Sequence, residues 1–206
     1  MSNDPSSNTL PARGPADHVV REQIIAAANE HFAHYGYAKT TVSDLARQIG
    51  FSKAYIYRFF ESKQAIGEAI CATCLDGLYD RVRQEVDDGE NATDKFRRFA
   101  KTVTTVGVEL FFHDRRIYEI AANASSEKWP PALAYLKRLR LLIEEIVRQG
   151  RDSGEFEKKT PLDETCRSIS YAFLPFTDPV FLERSLDLLP EAQTEVTSLV
   201  LRSLAP

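Results

Sequence analysis

Residues 40–63 read TTVSDLARQIGFSKAYIYRFFESK. Thr41, with Asp44 three positions later, is a helix N-cap signature. Leu45 and Ile49 stand four apart and so share one helical face, and Ala46 is small where a second helix has to cross closely. Gly50 can adopt the positive φ that turns a chain sharply. Phe51 plugs the corner, Ser52 caps the next helix, and Ile56 and Phe59 face back toward Leu45 and Ile49. Two short helices joined by a tight glycine turn make a helix-turn-helix. A plain helical hairpin inside an all-α core is the competing reading, and the agreement of so many positions at fixed spacing argues against it.

The second helix of the unit leaves Lys53, Ala54, Tyr55, Tyr57 and Arg58 on its outer face. That set suits duplex DNA. A lysine reaches guanine O6 and N7 in the major groove, and a small apolar side chain meets a thymine methyl. Tyrosine hydroxyls donate to phosphate. The helix N-termini at Thr41 and after Ser62 offer backbone N–H groups to phosphates, with Lys63 adding charge. The charge distribution agrees. Residues 18–63 hold six cations against four anions, a net +2, while residues 64–206 hold 19 against 24, a net −5. A mildly basic head sits on an acidic body within a chain of net charge −4.

Working outward, the periodicity is helical throughout. A first helix spans about 17–35, with Ile24, Ala27, Ala28, Phe32 and Tyr35 on one face and Gly36 as its stop. Further helices are expected over about 62–86, from Asn91 (capped with Asp94), over 114–124, from Pro130-Pro131 to the 150–154 segment, over 162–176, and over 190–204, with a short helical turn from Asp178-Pro179 to Leu188. The expectation is an all-α protein of about nine helices, its head at 17–63 and its body at 64–206. Residues 1–16 are polar and rich in Pro, Ser and Asn. They read as a disordered arm without the apolar core of a signal peptide, and no stretch is long and apolar enough to span a membrane, so a cytoplasmic protein is expected. Cys71 and Cys74 form a C-x-x-C, but no second pair and no nearby histidine completes a zinc site. They read as two small half-buried residues. No cofactor or metal is expected.

The stretch from about 24 to 67 resembles the DNA-binding head of the TetR (tetracycline repressor) family of bacterial regulators. The resemblance is carried by Ala27, Phe32, Gly36, Thr40-Thr41-Val42, Leu45-Ala46, Gly50-Phe51-Ser52-Lys53, Ile56-Tyr57, Phe59, Phe60 and Ser62-Lys63, about a fifth of the chain. Farther on, Gly154-Glu155-Phe156 resembles the turn that the family often places after its seventh helix. The resemblance implies that Lys53, Ala54 and Tyr55 lie against base edges, that Thr41, Tyr57 and Lys63 hold the DNA backbone, and that Ser43 lies near the groove. With the cap Ser52 these make up the candidate operator contacts. Arg58 stands where the family varies most, and Phe51 replaces a commoner valine.

A single short helix reads few base pairs, so a homodimer on two half-sites of a palindrome is expected. Its seam is assigned to the last two helices through Ile169, Phe173, Val196, Leu199 and Val200, and Pro175 should end or kink its helix. The resemblance further implies a cavity for a small-molecule effector within the body. Its candidate lining is Phe99, Gly107, Phe111, Tyr118, Trp129 and Tyr171, mostly aromatic, as suits an apolar or aromatic ligand. The long helix after Ser62 runs from the head into the body and is the expected lever, releasing a repressor from DNA. Two other classes compete. A metal-dependent helical-bundle enzyme would use Glu109 with His113 or Glu30 with His34, yet the Glu-x-x-His of di-iron bundles is absent. A helical adaptor would bind protein and not DNA.

Overall fold

The structure, a computed structural model, describes residues 14–206. Of the arm expected at 1–16, residues 1–13 lie outside the described residues, and from Gly14 the chain is already helical. The described residues form α-helices and no strand. The head comprises α1 (Gly14–Tyr35), α2 (Val42–Ile49) and α3 (Lys53–Tyr57), and α4 (Lys63–Asp87) leads out of it. The body follows as α5 (Ala92–His113), α6 (Arg115–Ser126), α7 (Pro130–Ser153), α8 (Leu162–Ala172), α9 (Leu174–Thr177), α10 (Pro179–Ser185), a 3₁₀ turn (Leu186–Leu188) and α11 (Leu189–Leu204).

Among the described residues eleven α-helices replace the expected nine or so, because the region after residue 161 is more finely broken. Pro175 is the cause at one point. It cannot donate within a continuing helix, so α8 stops at Ala172 and Pro175 falls in the first turn of α9. Asp178 then caps α10, accepting from the amides of Val180 and Phe181 at 2.9 and 3.2 Å.

Local chemistry accounts for the head. Thr41 and Asp44 form the full capping box, with Asp44 N donating to Thr41 Oγ1 at 3.2 Å and Thr41 N to Asp44 Oδ2 at 3.0 Å. Gly50 closes α2 in the left-handed region at φ 78°, which a side chain would resist. Ile24, Ala28 and Phe32 of α1 meet Leu45 and Ile56 in a closed core. Tyr35, expected on that inward face, is instead exposed and stacks on His31 and His34, because α1 ends at the turn that follows it.

In the body α4 lies between α5 and α7 and also meets α1 and α6. Three ion pairs fasten its flank: Arg81 to Glu109 of α5 at 2.7 Å, and Arg83 to Glu145 and Asp76 to Arg138, both of α7. The turn after α7 closes the far end. Phe156 covers Gly150, where a Cβ would lie only 2.2 Å from the ring. The Glu155 carboxylate accepts from the Ala92 and Thr93 amides, which opens α5 with a cap drawn from the other end of the body.

The expected dimer seam needs correction. Ile169, Phe173 and Val200 are buried within this chain, Phe173 at 0% exposure against Phe96 and Phe99. Their apolar stripes are covered by the chain itself, because α8 packs on α7 and α11 on α5. Leu199 remains exposed at 60% and Val196 is partly buried.

Candidate functional site

Two sites emerge, one on the head and one in the body. On the head, α3 turns Ile56 inward and leaves Lys53, Ala54, Tyr57 and Arg58 exposed. Lys53 holds its ammonium 5.6 Å above the Tyr57 ring. Arg58 lies over the Tyr55 and Phe59 rings and reaches Asp17 of α1 at 3.4 Å. Ser43 is exposed on α2. Ser52 is exposed, but its hydroxyl accepts the Tyr55 amide at 3.1 Å and so serves first as a cap. Thr41 likewise donates its hydroxyl to Asp44 at 2.6 Å, and these hydrogen bonds hold the Asp44 carboxyl below its ordinary pKa.

Two expected operator contacts are placed differently from the sequence reading. Tyr55 is half-buried, wedged edge-on between Phe51 at 5.0 Å and Phe59 at 5.3 Å, so its ring first completes the head's corner. The larger Phe51 explains this, since it offers Tyr55 a ring to pack against. Lys63 is half-buried too. Its ammonium donates to the Tyr37 carbonyl at 3.0 Å and sits 4.4 Å from the Tyr37 ring. It ties the turn after α1 to the start of α4 and is not a free cation.

Tyr37 was not singled out by the sequence, yet it is the hub between head and body. Its ring meets Phe32 at 5.2 Å and Trp129 at 5.6 Å, over the gap left by Gly67 on α4. Burial, with Glu127 and Glu68 nearby, raises its hydroxyl to a pKa of about 12. Trp129, expected in the effector cavity, is buried at this joint, with its indole N–H donating to Glu127 at 2.8 Å. Aromatic character alone could not separate a joint from a pocket.

The second site is a cavity of about 50 Å³ lined by α4, α5, α6, α7 and the α9–α10 segment. Gly107 and Tyr118 line it as expected, with Leu75 and Leu78 of α4, Tyr135 of α7, and Ser125, Thr177, Asp178 and Leu182. Gly107 admits Leu182, whose Cδ1 would lie 2.8 Å from an added Cβ. Phe111 stands behind the lining, edge-on to Tyr118 at 4.9 Å. Phe99 lies in the core with Phe96 and Phe173 and, with the exposed Tyr171, borders a separate hollow of about 300 Å³ between α5, α7 and α8–α9 instead. Burial drives the Tyr118 and Tyr135 hydroxyl pKa values upward, so both stay protonated. Asp178, Ser125 and Thr177 were missed as lining residues; the Asp-Pro pair announced a helix start but not what it would face.

Other polar groups are engaged elsewhere. Glu109 is paired with Arg81, and His113 Nδ1 lies 2.9 Å from the Glu109 carbonyl. Among the described residues no three His, Cys, Asp or Glu side chains gather as a metal site. No helix of the described residues is long and apolar enough to cross a membrane. Cys71 is buried and Cys74 partly so; burial first, and neighbouring charge second, raise their thiols to about 12 and about 11.

Comparison with known proteins matches both parts of the chain. Residues 24–70 fit the family described as bacterial regulatory proteins, tetR family, and residues 92–200 fit the tetracyclin repressor-like C-terminal domain. The transcriptional repressor KstR2 of Mycolicibacterium smegmatis is 31% identical over 153 residues, covering 72% of this chain and 73% of the relative. The transcriptional activator FasR of the same species is 29% identical, covering 65% and 60%. The fold is shared with FadR of Bacillus subtilis, solved in complex with stearoyl-CoA, at TM-score 0.64 and 20% identity over 89% of this chain and 98% of that one. Head and body together identify the chain as a member of the TetR family, whose proteins are transcriptional regulators and not enzymes.

Proposed function

We propose that the chain is a cytoplasmic repressor that binds a palindromic operator as a homodimer and is released by a small-molecule effector, with residues 17–63 as the reading head and 64–206 as the sensing and pairing body. The observation that carries this reading is the course of α4. It begins at Lys63 beside the head and lines the cavity with Leu75 and Leu78, so one rigid element touches both sites. Lys53, Ala54 and Tyr57 face the bases and backbone, with Thr41, Ser43 and Ser52 at the rim, while Tyr55 and Lys63 set the geometry behind them. The repressor sign is taken from KstR2 of Mycolicibacterium smegmatis, 31% identical over 72% of this chain, against 29% over 65% for the activator FasR. Pairing uses the surface that α8 and α11 leave open, at Tyr171, Val196 and Leu199.

A cavity of about 50 Å³ is far below the roughly 300–1,000 Å³ of organic-ligand pockets. Effector entry therefore has to push the lining helices apart, and α4 carries that displacement to the head. Such couplings are typically about 1–3 kcal/mol.

Selection of tight binders from random duplexes tests the reading. A palindromic consensus with half-sites about one helical turn apart is expected. Lys53→Ala should weaken binding to it by about 1–3 kcal/mol. Enrichment of no sequence, or full affinity in Lys53→Ala, refutes the reading.

A further inference from the structure

The hydrogen-bond accounts of the cavity wall are unusually one-sided. Tyr118 donates its hydroxyl proton to the Pro179 carbonyl, Ser125 donates to Asp178 Oδ2, and Thr177 donates to the Phe173 carbonyl at 3.1 Å. All three residues line the cavity, and all three hydroxyl protons are committed to protein acceptors. What they can still offer is lone pairs. Asp178 lines the same space as a carboxylate, buried to 8% exposure, and no lysine, arginine or histidine lines the cavity with it. Arg115, which lies over the Tyr118 ring, is itself paired with Glu183 at 2.6 Å. Tyr135 is the one lining hydroxyl with no acceptor among the described residues, and a single neutral donor does not offset a carboxylate.

Taking the cavity as the effector site, as proposed above, we infer that it accepts an apolar molecule carrying a hydrogen-bond donor, an amine or an alcohol, and rejects a carboxylate. An N–H or O–H group set among Asp178, Ser125 and Thr177 finds the spare lone pair of Asp178 Oδ2 and those of the two hydroxyls, Asp178 Oδ1 being taken by the Val180 and Phe181 amides. An anionic head would meet a carboxylate and lone pairs with no cation to balance it, and unpaired buried charge is strongly unfavourable. The selectivity thus lies in the orientation of three protons and one side-chain charge, set against an otherwise apolar wall.

The test compares three probes of one skeleton, 4-phenylbutylamine, 4-phenylbutanol and 4-phenylbutanoate, by calorimetry and thermal shift on the full chain at neutral pH. The amine should bind the wild type at least roughly tenfold more tightly than the carboxylate, the scale of one charge-assisted hydrogen bond over a neutral one. The alcohol should fall between them. Asp178→Asn keeps an N-cap for α10 and removes the charge, so it should abolish most of the amine's advantage. Ala121→Leu, which fills the cavity, should weaken all three probes, and its circular dichroism and that of Asp178→Asn report whether each variant is folded. Equal or tighter binding of the carboxylate, with binding still lost in Ala121→Leu, overturns the inference about ligand class and leaves the effector site standing. Binding that survives Ala121→Leu overturns the effector site itself, and the inference with it. No binding by any probe at millimolar concentration also overturns the inference.

Discussion

Gly67→Ala, in the second turn of α4, and Gly107→Ala, inside α5, make the same chemical change, and the structure gives them opposite signs. Alanine improves helix propensity by about 1 kcal/mol over glycine at either place. At Gly67 the new methyl would stand 2.9 Å from Tyr37 Cε2 and 3.1 Å from two ring carbons of Trp129. Neither ring has room to withdraw. Trp129 is fully buried and held by Glu127, and Tyr37 is pinned between Phe32, Trp129 and Lys63. Overpacking of this kind costs about 1–3 kcal/mol, so the net effect is a loss of about 0–2 kcal/mol. For a chain of this size each kcal/mol moves the melting temperature by about 2–4 °C. At Gly107 the methyl meets only the end of the Leu182 side chain, at 2.8 Å, beside a cavity into which that end can turn. There the propensity gain survives, and stability should rise by up to about 1 kcal/mol. Thermal unfolding at one fixed protein concentration separates the two. The chain's single tryptophan supplies a second readout, because Trp129 emission should shift in Gly67→Ala and not in Gly107→Ala. A stabilised Gly67→Ala, or two variants destabilised equally, would refute the packing argument.

Three other outcomes are expected. Tyr55→Ala should lower both melting temperature and DNA affinity, losing about 1–3 kcal/mol of stability with its packing on Phe51 and Phe59, whereas Tyr57→Ala should change stability by less than about 0.5 kcal/mol while weakening DNA binding. For Glu155, burial works against the charge, but hydrogen bonds from the Thr93 amide, the Ser153 hydroxyl and the Ala92 amide outweigh it and hold the carboxyl below its usual pKa. Its stabilisation is therefore complete above the unfolded carboxylate range near ~4.3 and is lost as pH falls through the lower folded value. Urea unfolding of wild type and Glu155→Gln should show a gap at neutral pH that narrows in acid; a constant gap contradicts the cap. Cys71 and Cys74, with thiols raised to about 12 and about 11, should resist a thiol reagent at pH 7.5 until the chain is unfolded, which a timed labelling assay reads directly.

The head was legible because its signals are local. The capping pair Thr41–Asp44, the turn at Gly50 and the cap at Ser52 each act within four residues, and the apolar spacing of Leu45 and Ile56 follows from helix geometry. What failed there was long-range. Nothing near Lys63 in the sequence shows that Tyr37, 26 positions earlier, would take its ammonium. The body was legible as helices but not as a site. Phe99, Phe111, Tyr118 and Trp129 look alike in sequence, and only packing sends Trp129 to the joint and Tyr118 to the cavity. The seam residues misled for the same reason: an apolar stripe does not say whether its own chain or a twin covers it, and Ile169, Phe173 and Val200 are covered by their own. Asp178 was read as a cap, which it is, and its second duty needed coordinates.

Glu155 sets a constraint on when the body can be finished. The opening amides of α5 wait for an acceptor that lies 62 and 63 positions downstream. During synthesis those N–H groups stay with water until the ribosome has passed the whole of α6 and α7. Fragments ending before this turn therefore lack the clasp, while closing so long a loop adds only a slowly growing entropic toll. A severed version of the protein should consequently be cut ahead of α5 and never between α5 and the turn after α7.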